Sequence, residues 1–104
     1  MISPARWAAF DALRRADPAG GSGKDLASAL ATTRGLAPDP RDRALATEIA
    51  LGVERWRAAL DATIAAAAGR DIGSIDPPAL IALRMAVFQL TRLTRTPAHA
   101  VVDD

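Results

Sequence analysis

Between Leu45 and Ile64 the large apolar residues recur at intervals of three and four: Leu45, Ile49, Val53, Trp56, Leu60 and Ile64, with Gly52 inside the series. At ~100° per residue these positions form one stripe along a helix, while Arg43, Glu54, Arg57 and Asp61 share the opposite side. A stripe of this length has to be covered by other helices, which makes a helical bundle the natural fold. Glycine within it permits close approach of a neighbouring backbone. The spacing allows either one helix from about Pro40 to Ala68 or a corner near Gly52.

The flanking segments carry their own punctuation. Ser3 before Pro4 is a helix cap followed by a first-turn proline, whose missing N–H costs nothing there. That helix is expected to reach about Ala16 and to end in the glycine-rich loop Asp17-Pro18-Ala19-Gly20-Gly21-Ser22-Gly23. A short second helix is expected from about Asp25 to Thr33, with Leu26 and Leu30 one turn apart and Gly35 as its stop. Asp39-Pro40 repeats the cap signal. Asp76-Pro77-Pro78 introduces a further helix with Leu80, Leu83, Val87 and Leu90 on one face and Ile81, Met85 and Phe88 on another. Apolar on two sides, it reads as the central helix of the bundle. A last helix starts at Thr96-Pro97. No β-alternation or internal repeat interrupts this pattern, and the expected class is all-α.

At 104 residues the chain is read as one small domain over 1–104. Half its residues are apolar, but alanine dominates them, so the core depends on few large side chains. The aromatic residues are Trp7, Phe10, Trp56 and Phe88. The formal net charge of +1 is far from the balance of a strongly basic nucleic-acid binder, so any RNA site has to be a local patch. Every basic residue except Lys24 is an arginine, suited to bidentate phosphate contact. No run is long enough to span a bilayer, and Met1-Ile2-Ser3-Pro4 lacks the regions of a signal peptide; a cytoplasmic location, with no membrane partner, is expected.

Catalytic groups are scarce. With a single histidine and no cysteine, nothing here builds a nucleophile–base pair or a thiolate metal site, so no enzyme activity, metal or cofactor is expected of this chain. His99, in the first turn after Pro97, reads as a structural cap. Gly20-Gly21-Ser22-Gly23-Lys24 looks superficially like a phosphate loop, but it follows a helix, and Lys24 precedes Asp25 where Ser or Thr is needed. A surface connection is the better reading.

The first helix offers the best RNA face. Ala9, Phe10 and Leu13 define its buried side, while Trp7, Asp11, Arg14 and Arg15 point to another arc, with Arg6 at its start. An aromatic ring beside guanidinium groups suits stacking with bases and pairing with phosphates. The alternative is that Trp7 packs on a neighbouring helix or second domain and that Arg14 and Arg15 complement the helix C-terminus. Arg84 falls between Leu80 and Phe88 on the wheel; a buried guanidinium needs a carboxylate, and Glu48 or Asp61 are the candidates. Arg92 and Arg95, near the end of the central helix, either extend a basic patch or solvate a loop.

Several short elements, in order, resemble the NusB-like domain. They are Ala5-Arg6 and Ala9-Phe10, then Asp42-Arg43-Ala44-Leu45, Glu48, Gly52-Val53, Arg55 and Leu60-Asp61, then Leu83-Arg84, Gln89-Leu90 and Thr96-Pro97-Ala98-His99-Ala100-Val101. Arg6 stands alone where free-standing NusB antitermination proteins tend to carry an arginine run. The segment from Gly52 to Asp61 is more similar to the N-terminal domain of bacterial rRNA cytosine-5 methyltransferases. The resemblance implies a helical RNA-binding domain that positions rRNA for a separate methyltransferase domain, whose chemistry uses S-adenosylmethionine and a cysteine. It places RNA contacts on the first helix and an arginine in the Leu83-Arg84 element, so that Arg6, Trp7, Arg14, Arg15, Arg84, Arg92 and Arg95 are the candidate RNA residues. The alternatives are a NusB-type antitermination factor and a helical protein-interaction module without RNA. Similar domains continue beyond the Val-Val-Asp-Asp position, so the bundle is expected to be truncated at its C-terminus, leaving the central helix bare around Ile81, Met85 and Phe88.

Overall fold

The computed structural model describes residues 3–18 and 25–93. Among them the chain forms α1 (Pro4–Ala16), α2 (Leu26–Thr32), a 3-10 turn (Arg34–Leu36), α3 (Pro40–Arg55), α4 (Arg57–Ala68), a second 3-10 turn (Ile72–Ser74), α5 (Pro77–Phe88) and a π-helical turn (Gln89–Leu93). The described residues contain no strand, and the fold is all-α. The expected last helix at Thr96-Pro97, with His99, lies outside the described residues, as does the loop at residues 19–24.

Local chemistry sets the helix starts. The Ser3 hydroxyl accepts from the Arg6 N–H at 3.2 Å, the Asp25 carboxylate from the Ser28 N–H at 3.3 Å, and the Asp39 carboxylate from the Arg41 N–H at 2.8 Å. Each satisfies a donor that the first helical turn leaves open. At the other end of α4, Gly69 takes φ +66°, the left-handed stop that glycine adopts without penalty. Gly35 does not stop α2. The helix ends at Thr33, whose hydroxyl donates to the Leu30 carbonyl, and Gly35 lies inside the 3-10 turn that follows.

α1 packs mainly on α3 and α2, and α5 touches α1, α3 and α4. The buried face of α1 is Ala5, Ala8, Ala9, Ala12 and Leu13; that of α3 is Ala46, Ile49, Ala50 and Val53. Small side chains let these helices approach closely, and the volume is supplied by Ile49, Leu60, Ile81, Met85 and Phe88. Phe10 is only partly buried, packed against the margin of this core.

Two expectations are corrected here. The long segment is two helices, and the corner is at Trp56 (φ −103°, ψ 17°) rather than at Gly52. The hydrogen-bond ladder carries on around it, since the Trp56 N–H donates to the Gly52 carbonyl at 3.0 Å and the Leu60 N–H to the Trp56 carbonyl at 2.9 Å. A helical wheel assumes constant rotation, and the corner takes Trp56 out of line: it is 39% exposed while Leu60 and Ile64 beyond it are buried. The second correction concerns α5. Ile81, Met85 and Phe88 are buried in the core, and the side left open carries Leu83 and Leu90, at 41% and 73% exposure. The Ile81, Met85 and Phe88 face takes the core, with Phe88 fitted against Gly52 of α3, where any β-carbon would overlap the ring.

Candidate nucleic-acid interface

The arc of α1 that faces away from the core carries Arg6, Trp7, Asp11, Arg14 and Arg15, with Phe10 at its edge against the core. Trp7 is 47% exposed and lies nearly parallel to Phe10, with centroids 5.8 Å apart and 12° between planes. One helical turn brings residues i and i+3 together, so the pair is a local product of α1. Trp7 and Phe10 also border an apolar groove of about 570 Å³ between α1 and α5, walled on the far side by Pro78, Ala82 and Met85. Arg6 closes one end of it, its Nε donating to the Gln89 Oε1 at 2.6 Å.

Further along α1 a single carboxylate serves two arginines. Asp11 accepts from Arg14 Nη2 at 2.9 Å and from Arg15 Nε at 2.8 Å. Burial alone would push its carboxyl up, but the hydrogen bonds and charges of Arg15 and Arg14 together outweigh that and hold it below the usual carboxylate value. The cluster thus presents two guanidinium groups at a net charge near +1, with both arginine side chains about two-fifths exposed.

Arg84 is held differently. Its Nε and Nη2 donate to the two oxygens of Asp61 at 2.6 and 3.0 Å, a bidentate pair between α5 and α4. Of the two carboxylates named from the sequence, Asp61 is the partner. The Arg84 side chain is 10% exposed, so its guanidinium is committed to the fold's interior rather than to the α1 arc. Arg92 projects from the π-helical turn and stacks on the Trp56 ring, its guanidinium carbon 3.8 Å from the centroid. Arg95 lies outside the described residues.

The structure therefore brings Arg6, Trp7, Arg14 and Arg15 onto one surface and places Arg84 and Arg92 elsewhere. Sequence reasoning missed Gln89 as the partner of Arg6, 83 positions away, and missed the aromatic exposure at Trp56. The flanking arginines, Arg55 and Arg57, were the available signal that position 56 meets solvent. Among the described residues no group of acidic or histidine side chains is spaced to hold a metal ion, and no helix is long and apolar enough to cross a membrane.

Comparison with known proteins agrees with the architecture. Two relatives in Mycobacterium tuberculosis, "Putative methyltransferase MT1451" of strain CDC 1551 and "Putative methyltransferase Rv1407" of strain H37Rv, are each 44% identical over 102 residues. The alignment covers 98% of this chain and 22% of each relative, so the chain spans about a fifth of their length. No solved structure matches it. The pattern of the NusB family matches residues 3–104, and the chain belongs to that family.

Proposed function

We propose that this chain is an RNA-binding helical domain that holds rRNA for a methyltransferase domain elsewhere in the same parent protein. The observation that carries the reading is the α1 arc: an exposed Trp7, stacked on a partly buried Phe10, between Arg6 on one side and Arg14 and Arg15 on the other. Stacked rings accept bases, and flanking guanidinium groups accept phosphates. Membership of the NusB family and likeness to proteins named as methyltransferases support the assignment and favour it over an antitermination factor. On this reading the chain binds and orients while the chemistry, with S-adenosylmethionine as methyl donor, belongs to the partner domain in the cytoplasm. The cofactor site and the nucleophile then belong to the other domain, in keeping with the lack of cysteine in this chain.

Filter binding of single-stranded rRNA fragments tests it. Affinity is expected to be modest and to fall steeply with salt, with a log–log slope of about −0.7 for each phosphate neutralised. Reversing charge at Arg6 and Arg15 together is expected to abolish binding. Unchanged affinity in that double variant removes the α1 assignment, and absence of binding at low salt leaves a protein-interaction module as the better reading.

A further inference from the structure

Arg55, Trp56 and Arg92 form a cluster that the α1 arc does not include. Trp56 sits at the corner between α3 and α4 with 39% of its surface exposed, an unusual place for the largest side chain. Arg92 lies over its ring at 3.8 Å and Arg55 at 5.9 Å from the centroid. Two cations thus converge on one indole, and among the described residues neither forms a hydrogen bond or a salt bridge with a carboxylate. The nearby Glu54 is engaged with Arg57 at 3.5 Å. Arg92 Nε is shielded from solvent with no hydrogen-bond partner, an outstanding donor in a group that carries full charge.

The backbone that delivers Arg92 is also out of the ordinary. α5 passes into a π-helical turn over Gln89–Leu93, a geometry that is rare and concentrates at functional sites. The turn sends its side chains two ways: Gln89 reaches α1 and bonds Arg6, while Arg92 reaches the α3–α4 corner and stacks on Trp56. One short turn thus touches both arginine-and-tryptophan sites. With Nε shielded, a guanidinium held over a ring still has its terminal Nη N–H groups for another ligand, and these match phosphate oxygens. Stacking on the ring fixes those groups in place, which lowers the ordering cost of a phosphate contact.

We propose that Arg55, Trp56 and Arg92 form a second contact for single-stranded RNA, in which the two guanidinium groups hold one backbone phosphate and Trp56 orients them. This inference rests on the RNA-binding reading of α1 and extends it across the end of α5. A strand held at Arg6 and Trp7 would then continue past Gln89 to the Trp56 corner. Neutral or apolar ligands leave the converging charges unanswered; a polyanion answers them.

The test uses the whole chain and a fluorescein-labelled twelve-nucleotide polyuridine, with anisotropy titrations across a range of salt. In the Arg55→Gln/Arg92→Gln variant, affinity at low salt is expected to fall several-fold and the log–log salt slope to become shallower by about 0.7, the loss of one phosphate. A local readout accompanies it with Trp7 intact: the part of the tryptophan emission change on RNA addition that Trp56→Phe removes is assigned to Trp56, and it is expected to disappear when Arg55 and Arg92 are replaced. Circular dichroism melts confirm that each variant folds. If the parent binds RNA while the Arg55→Gln/Arg92→Gln variant keeps its affinity and slope, this second contact is wrong and the α1 assignment stands. If the parent binds no RNA at low salt, both readings are overturned. A Trp56 response to polyglutamate that matches the response to RNA also overturns the assignment, making the cluster a site for acidic protein segments.

Discussion

The Phe88 ring lies against the backbone of Gly52 so closely that a β-carbon at position 52 would overlap Cζ, Cε1 and Cε2 of the ring. In an exposed helix, replacing glycine by alanine gains about 1 kcal/mol. Here the sign is expected to reverse, because a β-carbon would overlap three ring atoms of Phe88, which is itself 5% exposed. Gly52→Ala is expected to cost about 1–3 kcal/mol, read from the midpoint of urea denaturation. A variant as stable as the parent would show that Phe88 repacks freely.

The Arg84 and Asp61 pair predicts a double-variant signature. Asp61→Ala leaves a mostly buried guanidinium uncompensated, and a cost of about 2–3 kcal/mol is expected. This lies below the ~3–5 kcal/mol of a wholly buried pair because a quarter of the Asp61 side chain (25%) is in solvent. Arg84→Met combined with Asp61→Leu is expected to recover most of that loss. Chemical denaturation of Asp61→Leu, Arg84→Met and the double variant, alongside Asp61→Ala, measures it, and additive losses would mean the pair does not act as a unit.

Leu60→Ala is expected to destabilise the fold more than Trp56→Ala, although tryptophan is the larger side chain. Leu60 is 1% exposed and its truncation costs about 2–5 kcal/mol. Trp56 is 39% exposed, and its loss mainly forfeits the stack with Arg92, worth about 1–2 kcal/mol. Thermal melts of both variants give the order; the reverse order would put the corner in the core.

Asp11 predicts a dependence on pH. Its folded carboxyl titrates below the ordinary value of 3.8, so the folded state favours the ionised form. The stability it contributes is present above that value and is lost as pH falls through the folded pKa, because protonation ends the bonds to Arg14 and Arg15. Asp11→Asn is therefore expected to be less stable than the parent near neutrality and to approach it below about pH 3.8. The same substitution removes a negative charge from beside Arg14 and Arg15, so its RNA affinity at neutral pH is expected to rise. Unchanged affinity would show that neither Arg14 nor Arg15 meets RNA.

What was legible in the sequence was local or compelled by chemistry. Ser3, Asp25 and Asp39 cap their helices with their own side chains, and the pattern is visible within four residues. Arg84 announced a carboxylate partner because an unpaired charge among apolar residues is too costly, although the choice between Glu48 and Asp61 required the fold. Gly52 signalled close approach without naming Phe88. The rest depended on geometry that spacing does not encode. The corner at Trp56 has neither glycine nor proline to mark it, so the wheel ran straight through and placed an exposed ring in the core. Both faces of α5 looked equally apolar, and which of them turned inward, with Phe88 against Gly52, was set by the fold. For the candidate interface, the arginines and Trp7 of α1 could be named from the helix alone, whereas the Gln89 contact and the Arg92 stack depend on a π-helical turn that no residue pattern announces.

The alanines that line the buried side of α1 have a thermodynamic consequence. An alanine side chain has no rotamers to surrender, so ordering Ala5, Ala8, Ala9 and Ala12 against the bundle costs almost no side-chain entropy. The contact is made by backbone-proximal atoms that have no alternative arrangement, and α1 is seated as a stiff rail instead of through interlocking side chains that can hop. Whatever Trp7, Arg14 and Arg15 engage on the outer side meets a helix whose position is already settled, so little binding energy is spent on ordering it.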